Sequence, residues 1–288
     1  LNGLGVLIFL IATVFENTRN SALKQLEDKK RLLDDKHKEI TDSIQYAKRI
    51  QDAIMPSLVA MHEALQNGFV LYEPKDVVAG DFFWMEVPAG EPDVVYFAAA
   101  DCTGHGVPGA MVSVVCSNAL TKALLEEGIR DTGKLLDRTR ELVITILAKS
   151  GEEVTDGMDI SLCALNIKTN DLQWSGANNP LWIIRKNELI ETKPDKQPIG
   201  KYSIPKPFVT HQIELKKEDI LYVFTDGFQD QFGGPKGKKF KTANFKKLLL
   251  SVQENSLDSQ KEIIETAFAD WKGDLEQIDD VCIIGVKL

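Results

Sequence analysis

Four places in the sequence set an aspartate where an apolar run gives way to a loop, and together these acids could do phosphate chemistry. Asp81 stands in the run VVAGDFFW, Asp101 follows VVYFAAA, Asp226 follows ILYVFT, and the pair Asp279–Asp280 immediately precedes VCIIGV. Glycines lie beside several of them: Gly80, Gly104 and Gly227. Taken singly, such a carboxylate orders a turn or caps a helix. Strand ends of two packed sheets, however, could gather all four at one rim. Converging carboxylates repel and raise one another's pKa unless cations neutralise them. Hard divalent ions, Mg²⁺ or Mn²⁺, suit a shell of carboxylates, carbonyls and water. Two such ions, about 3.5–4 Å apart, clamp a phosphate and activate a bridging water for in-line attack. The four histidines do not cluster, which makes zinc a poor fit.

The elements that must position these acids follow from the texture after residue 69. Short apolar runs at 94–100, 160–167, 172–175, 181–185, 220–225 and 281–287 predict strands. The connections 168–171 and 186–188 are too short for crossover helices, so they join neighbouring strands as hairpins. Helical patterns cover 108–127, 133–149, 242–252 and 257–271. Hairpin-joined strands with grouped helices predict an α+β fold built on antiparallel sheets. No internal repeat or low-complexity segment is legible.

At 288 residues and 43% hydrophobic, the chain can fill one substantial core and carry an appendage. Its 34 basic and 43 acidic residues give a formal charge of −9. That argues against a nucleic-acid binder, which needs a basic face. It does not argue against phosphate chemistry, because bound cations reverse the local sign. The cysteines Cys102, Cys116, Cys163 and Cys282 show no C-x-x-C spacing and have apolar or small neighbours, as buried free thiols in a reducing compartment do.

Ahead of the domain lie two further segments. Residues 1–15 are apolar and uncharged but shorter than the ~20 that span a bilayer. The start at Leu1 rather than Met suggests a piece of a longer chain, and the segment is expected to be the C-terminal part of a transmembrane helix. A signal-peptide core or a buried helix is the alternative, although the basic n-region of a signal peptide is missing. Arg19, Lys24, Lys29, Lys30 and Arg31 follow, which puts the rest on the cytoplasmic side of an inner membrane. Residues 16–56 then keep a heptad beat, with Leu26, Leu33, Ile40, Ala47 and Ile54 spaced by seven and Leu23, Ile44 and Ile50 filling part of a second stripe. Lys30, His37 and Gln51 interrupt the companion positions. The pattern predicts a parallel coiled coil, hence a homodimer, that transmits a signal until Pro56 stops it; a lone amphipathic helix is the alternative.

Seven landmarks from about Glu73 to Leu288 come in an order that resembles the SpoIIE-type branch of the bacterial metal-dependent, 2C-class serine/threonine protein phosphatases. They are YEPKDVVAGDFFW, AADCTGHGVPGAMVS, DGMDISLCALN, WSGANNPLWIIR, QPIG, LYVFTDGFQDQF and DDVCIIGV. The resemblance implies a four-layer αββα sandwich, two antiparallel sheets flanked by helices, occupying residues 69–288 behind the helical linker. It also implies two Mn²⁺ or Mg²⁺ ions, with a third site in some members. By that resemblance Asp81 and Asp101 contribute to the binuclear centre, Cys102 supplies a main-chain carbonyl, and Asp226 is the later metal-binding aspartate. Asp279, rather than Asp280, matches the final ligand. Asp156 or Asp159 serves a third metal, or Asp159 orders a turn. His105 stands in a different register from the acid histidine of eukaryotic relatives, so it protonates the leaving group or orders its turn.

The glycine pattern from Gly104 to Gly109 is expected to pass a loop by the metals rather than to bind a nucleotide, and the stretch 174–180 to be a tight corner between strands. The function so implied is hydrolysis of phosphoserine or phosphothreonine in a regulatory partner, such as an anti-sigma-factor antagonist, controlled through the linker. A non-catalytic phosphoprotein binder and a hydrolase of small phosphoesters are the rival readings.

Overall fold

Alternation along the strands decides the architecture of residues 48–288. The computed structural model describes residues 3–65, 67–148 and 156–288. One five-stranded antiparallel sheet comprises β1 (Gly68–Glu73), β6 (Leu181–Arg185), β7 (Glu188–Thr192), β9 (Ile220–Phe224) and β12 (Val281–Lys287), in the order β1-β12-β9-β6-β7. The other comprises β2 (Phe82–Glu86), β3 (Val94–Cys102), β4 (Met158–Asn166), β5 (Asp171–Ala177) and β8 (His211–Glu214), in that order. On β3, Val95, Phe97 and Ala99 point between the sheets. Tyr96, Ala98, Ala100 and Cys102 point to the outer side, as a two-residue period requires. There they meet α3 (Gly106–Thr121), the π-helical turn Lys122–Glu126 that continues it, and α4 (Thr132–Leu147). On β12, Cys282, Ile284 and Val286 face inward, while Val281 and Ile283 meet α6 (Thr242–Val252) and α7 (Leu257–Lys272). The result is the four-layer αββα sandwich that the resemblance implied.

The expected hairpins are present. The β6–β7 turn places Lys186 and Asn187 at φ 50° and 66°, the left-handed pair that a two-residue loop demands. All six expected strands and all four expected helices form; residue 149, the expected end of α4, lies outside the described residues. The strands missed by sequence are mostly edges. β8 exposes every second residue and β7 three of its five, so neither presents a buried apolar run. All four cysteines are buried and free.

The chain divides into two units, Leu1–Ala47 and Lys48–Leu288. A helix, α1, runs Gly3–Ile54, ending before Pro56 as a residue preceding proline favours. Within the first unit Leu26, Leu33 and Ile40 are exposed, as are the apolar residues from Leu4 to Phe15. Among the described residues one segment, Gly106–Glu126, is long and apolar enough to cross a membrane, and it is a core helix with 56% of that window buried.

Candidate metal centre

The inward rows of four strands end in carboxylates. Val95, Phe97 and Ala99 are continued by Asp101, Cys163 and Ser161 by Asp159, Ile284 and Cys282 by Asp280, and Phe83 by Asp81. Asp101 and Asp159 are direct cross-strand partners. Between them a cleft of about 170 Å³ opens, lined also by Thr103, Gly157, Met158 and Pro198. The acids therefore gather at one open end of the space between the sheets, because a period of two carries each apolar row straight into its terminal residue.

Asp81 is 2% exposed, and Thr225 Oγ1 donates to its Oδ2 at 2.6 Å. Thr225 is itself held by β12, accepting from Cys282 N at 2.9 Å. Burial, and then the charge of Asp101, drive the Asp81 carboxyl well above the usual range. Asp101 is pushed up to about 8 by burial and by Asp226, Asp279 and Asp159, against a hydrogen bond from Asp81. Asp226 rises to about 6 through burial, then Asp230, Asp279 and Asp159, with Lys239 opposing. It precedes the short helix α5 (Gly227–Asp230), yet its carboxylate makes no capping bond, so the ordinary capping role does not occupy it. Asp159 is also raised, chiefly by burial, while Asn178 Nδ2 donates to it at 2.8 Å. Asn178, at φ 57°, belongs to the corner between β5 and β6 that carries the chain from one sheet to the other.

Asp279 and Asp280 divide the work at the end of β12. Asp280, 2% exposed, accepts from Gly80 N and Lys75 N at 2.7 Å each, and from Asp81 N at 3.4 Å. Its oxygens are committed to the backbone of the loop that carries Asp81. Asp279 is only partly buried and acts on the Asp81, Asp101 and Asp226 carboxyls, which leaves it the freer of the two for a ligand.

The loop after Asp101 fits tightly. Gly104 has φ +86°, and its carbonyl presses on two other glycines: a Cβ on Gly80 would stand 2.3 Å from it, and one on Gly109 2.1 Å. The same Cβ on Gly80 would come within 3.1 Å of the Cys102 carbonyl, which thus faces the Asp81 loop while the Cys102 thiol lies on the α3 side. The glycine run follows β3 and opens α3 within an antiparallel sheet, so it is no dinucleotide fingerprint. His105 is exposed at this rim; its Nδ1 lies 3.0 Å from Asp76 Oδ2 and its Nε2 3.2 Å from Lys75 Nζ. An ammonium can only donate, so Nε2 accepts and the ring proton sits on Nδ1, facing Asp76. Through these two contacts the imidazole ties the turn to the loop that carries Lys75 and Asp76.

Sequence reading missed one further residue. Gln51, on the last turns of α1, is buried; its Nε2 donates to Ala79 O at 2.6 Å and to Ser113 Oγ at 3.0 Å, and its Oε1 accepts from Ala79 N at 3.1 Å. Ala79 lies two residues before Asp81. Its signal in the sequence was a polar residue on a heptad stripe.

Among the described residues no group of three or more His, Cys, Asp or Glu side chains is drawn tightly enough to hold a metal ion as it stands. The donor chemistry fits one nevertheless. Buried carboxylates crowd together with no basic side chain buried among them, a main-chain carbonyl faces the same loop, and only cations of matching charge make such crowding tolerable when ionised.

Residues 91–288 match the family model described as Stage II sporulation protein E (SpoIIE). No match was found among curated proteins. Among solved structures, the SiaA-PP2C domain of Pseudomonas aeruginosa is 30% identical, with a TM-score of 0.78 over 88% of this chain and 98% of that one. The PP2C phosphatase domain of SpoIIE from Bacillus subtilis, with a fragment of its regulatory domain, is 19% identical with a TM-score of 0.61, over 77% and 61% of the respective chains. RsbX in complex with magnesium is 15% identical with a TM-score of 0.50, over 76% and 92%. The last two share the fold.

Proposed function

Because the chain belongs to the SpoIIE family of PP2C-type serine phosphatases, we propose that it hydrolyses phosphoserine or phosphothreonine in a regulatory partner protein, with Asp81, Asp101, Asp226, Asp279 and the Cys102 carbonyl holding two Mn²⁺ or Mg²⁺ ions. The observation that supports this most is the convergence of carboxylates from β2, β3, β12 and the start of α5 at one end of the sandwich. When bound, the ions supply charge neutralisation for the phosphoryl oxygens and an acidified water at neutral pH. The chain's own residues set the stage. Thr225 fixes one oxygen of Asp81, Asp280 pins the backbone that carries it, and the three packed glycines let the Cys102 carbonyl approach. The Cys102 thiol is raised by burial and turned to the helices, so it is not the nucleophile; water is. Asp159, braced by Asn178, is the candidate for a third ion.

Control through the linker belongs to the same reading. Gln51 connects α1 to the Asp81 loop, so a change in that helix reaches the site through Ala79. The exposed heptad residues of α1 suit a coiled-coil homodimer, and the exposed apolar residues before Phe15 suit a membrane anchor with the phosphatase on the cytoplasmic side. The partner is proposed to be a phosphorylated regulator of the anti-sigma-factor-antagonist kind. The test is Mn²⁺-dependent phosphate release from a phosphoserine peptide, with Asp226→Asn as control. The proposal expects at least a hundredfold loss in the variant with its circular dichroism intact, and release that ignores both metal and Asp226 would refute it. Nucleoside phosphates that outcompete the peptide would favour a small-phosphoester hydrolase.

A further inference from the structure

From Gln231 to Gln253 the chain carries six lysines and no acidic residue, although its formal charge is −9. This stretch holds the two-stranded hairpin of β10 (Phe232–Gly233) and β11 (Lys238–Lys239) and leads into α6. Lys236, Lys238, Lys241 and Lys247 are exposed and have no acidic partner among the described residues, whereas Lys239 pairs with Asp230 at 2.7 Å and Lys246 with Glu191 at 2.6 Å. Phe232, 40% exposed, lies beneath Lys239, whose Nζ is 5.9 Å from the ring centroid.

The hairpin is firmly rooted beside the candidate centre. Asp230 ends the short helix that Asp226 begins, and Lys241 N donates to Gln229 O at 2.7 Å. On the other side Gly234 N donates to Trp271 O at 2.7 Å, Trp271 Nε1 donates to Gln231 O at 3.0 Å, and the Phe240 and Trp271 rings meet edge to face at 5.2 Å. A Cβ on Gly233 would stand 1.7 Å from Trp271 O, so the root is closely fitted to α7. Cations fixed at the rim of a site, and left unpaired in an acidic protein, are complementary to an anionic partner and add selectivity and encounter rate.

We propose that this lysine hairpin is the docking face for an acidic stretch flanking the phosphorylated residue of the substrate protein, an inference that rests on the phosphatase function proposed above. The phosphoryl group enters the carboxylate edge while the acidic flank lies on Lys236, Lys238 and Lys241. Each exposed pair contributes little alone, so the preference is collective, about tenfold for three lysines.

Two phosphoserine peptides of one core sequence, one with a run of Asp and Glu beside the phosphoserine and one with Asn and Gln there, provide the test. With Mn²⁺, the acidic peptide is expected to have kcat/KM about tenfold higher, mainly through KM. That ratio should shrink toward one on raising salt from 50 to 500 mM, and in the Lys236→Gln/Lys238→Gln/Lys241→Gln variant. The salt series uses the unaltered chain, so it stands even if the variant misfolds. Equal kcat/KM for the two peptides, or a ratio that the variant retains, overturns the docking face and leaves the phosphatase reading intact. Release from neither peptide overturns the phosphatase reading and the docking face with it. Equal kcat/KM together with lysine-dependent sedimentation on phosphatidylserine vesicles overturns it in favour of a lipid-facing role.

Discussion

Metal binding should expel protons, and the crowding of Asp81 and Asp101 sets how many. Burial, and then the charges of Asp226, Asp279 and Asp159, push Asp101 up to about 8, and Asp81 beside it is raised as well. At pH 7 a carboxyl of pKa about 8 is roughly 90% protonated, so a cation that needs the carboxylate must displace nearly one proton from Asp101. From that group alone the apparent affinity for Mn²⁺ should fall roughly 50-fold between pH 8 and pH 6, and further as Asp81 titrates with it. The charge of Asp101 acts on Asp81, so the steps belong to the pair. Stability of the metal-free protein runs the opposite way. These folded-state pKa values lie above the unfolded value near 4, so protons bind on folding. The stabilisation that protonation brings is full below about pH 4 and is lost as pH rises toward 8. Titration calorimetry in two buffers of different ionisation enthalpy counts the protons, expected to be between one and two per protein at pH 7. Binding with no proton release and the same affinity at pH 6 and pH 8 would refute the assignment of Asp81 and Asp101 as ligands.

Other substitutions probe the supports. Asp280→Asn removes the charge that holds Gly80 N and Lys75 N; a loss of about 1–3 kcal/mol and weaker Mn²⁺ binding are expected, and an unchanged melting temperature and affinity would count against it. Gln51→Ala leaves Ala79 N and O and Ser113 without this partner and should cost about 1–3 kcal/mol and slow phosphate release; an unchanged melting temperature and rate would count against the role given to Gln51. In thermal melts Gly109→Ala should lose more than ~2 kcal/mol, since its methyl would sit 2.1 Å from the Gly104 carbonyl. Charged residues at Leu33 and Ile40 should halve the oligomer in sedimentation and change activity; an unchanged oligomer size together with unchanged activity would overturn the coiled-coil proposal.

What the sequence made legible was whatever leaves a local pattern. A strand buried on both faces, such as β3 or β12, reads as an unbroken apolar run, and an aspartate at its end stands out; the edge strands β7 and β8 bury no residue fully and do not. Convergence of the acids was expected only from the layering, because the period of two that carries each inward row into its terminal carboxylate matters only once the strands are paired. The choice between Asp279 and Asp280 was a matter of resemblance. Contacts 200 and 205 residues away in the chain, at Gly80 and Lys75, occupy the Asp280 oxygens and leave Asp279 the freer carboxylate, and no local pattern encodes them. Gln51 lies between these cases. A glutamine on an apolar stripe lowers coiled-coil stability wherever it meets a partner helix, so its place there reads as a flaw until α1 passes over Ala79. There its amide satisfies both backbone groups of a buried residue, a demand that a leucine could not meet. The imperfection in the heptad beat thus marks where α1 holds the loop of Asp81, and a polar interruption at the end of such a helix is the sequence signal to look for.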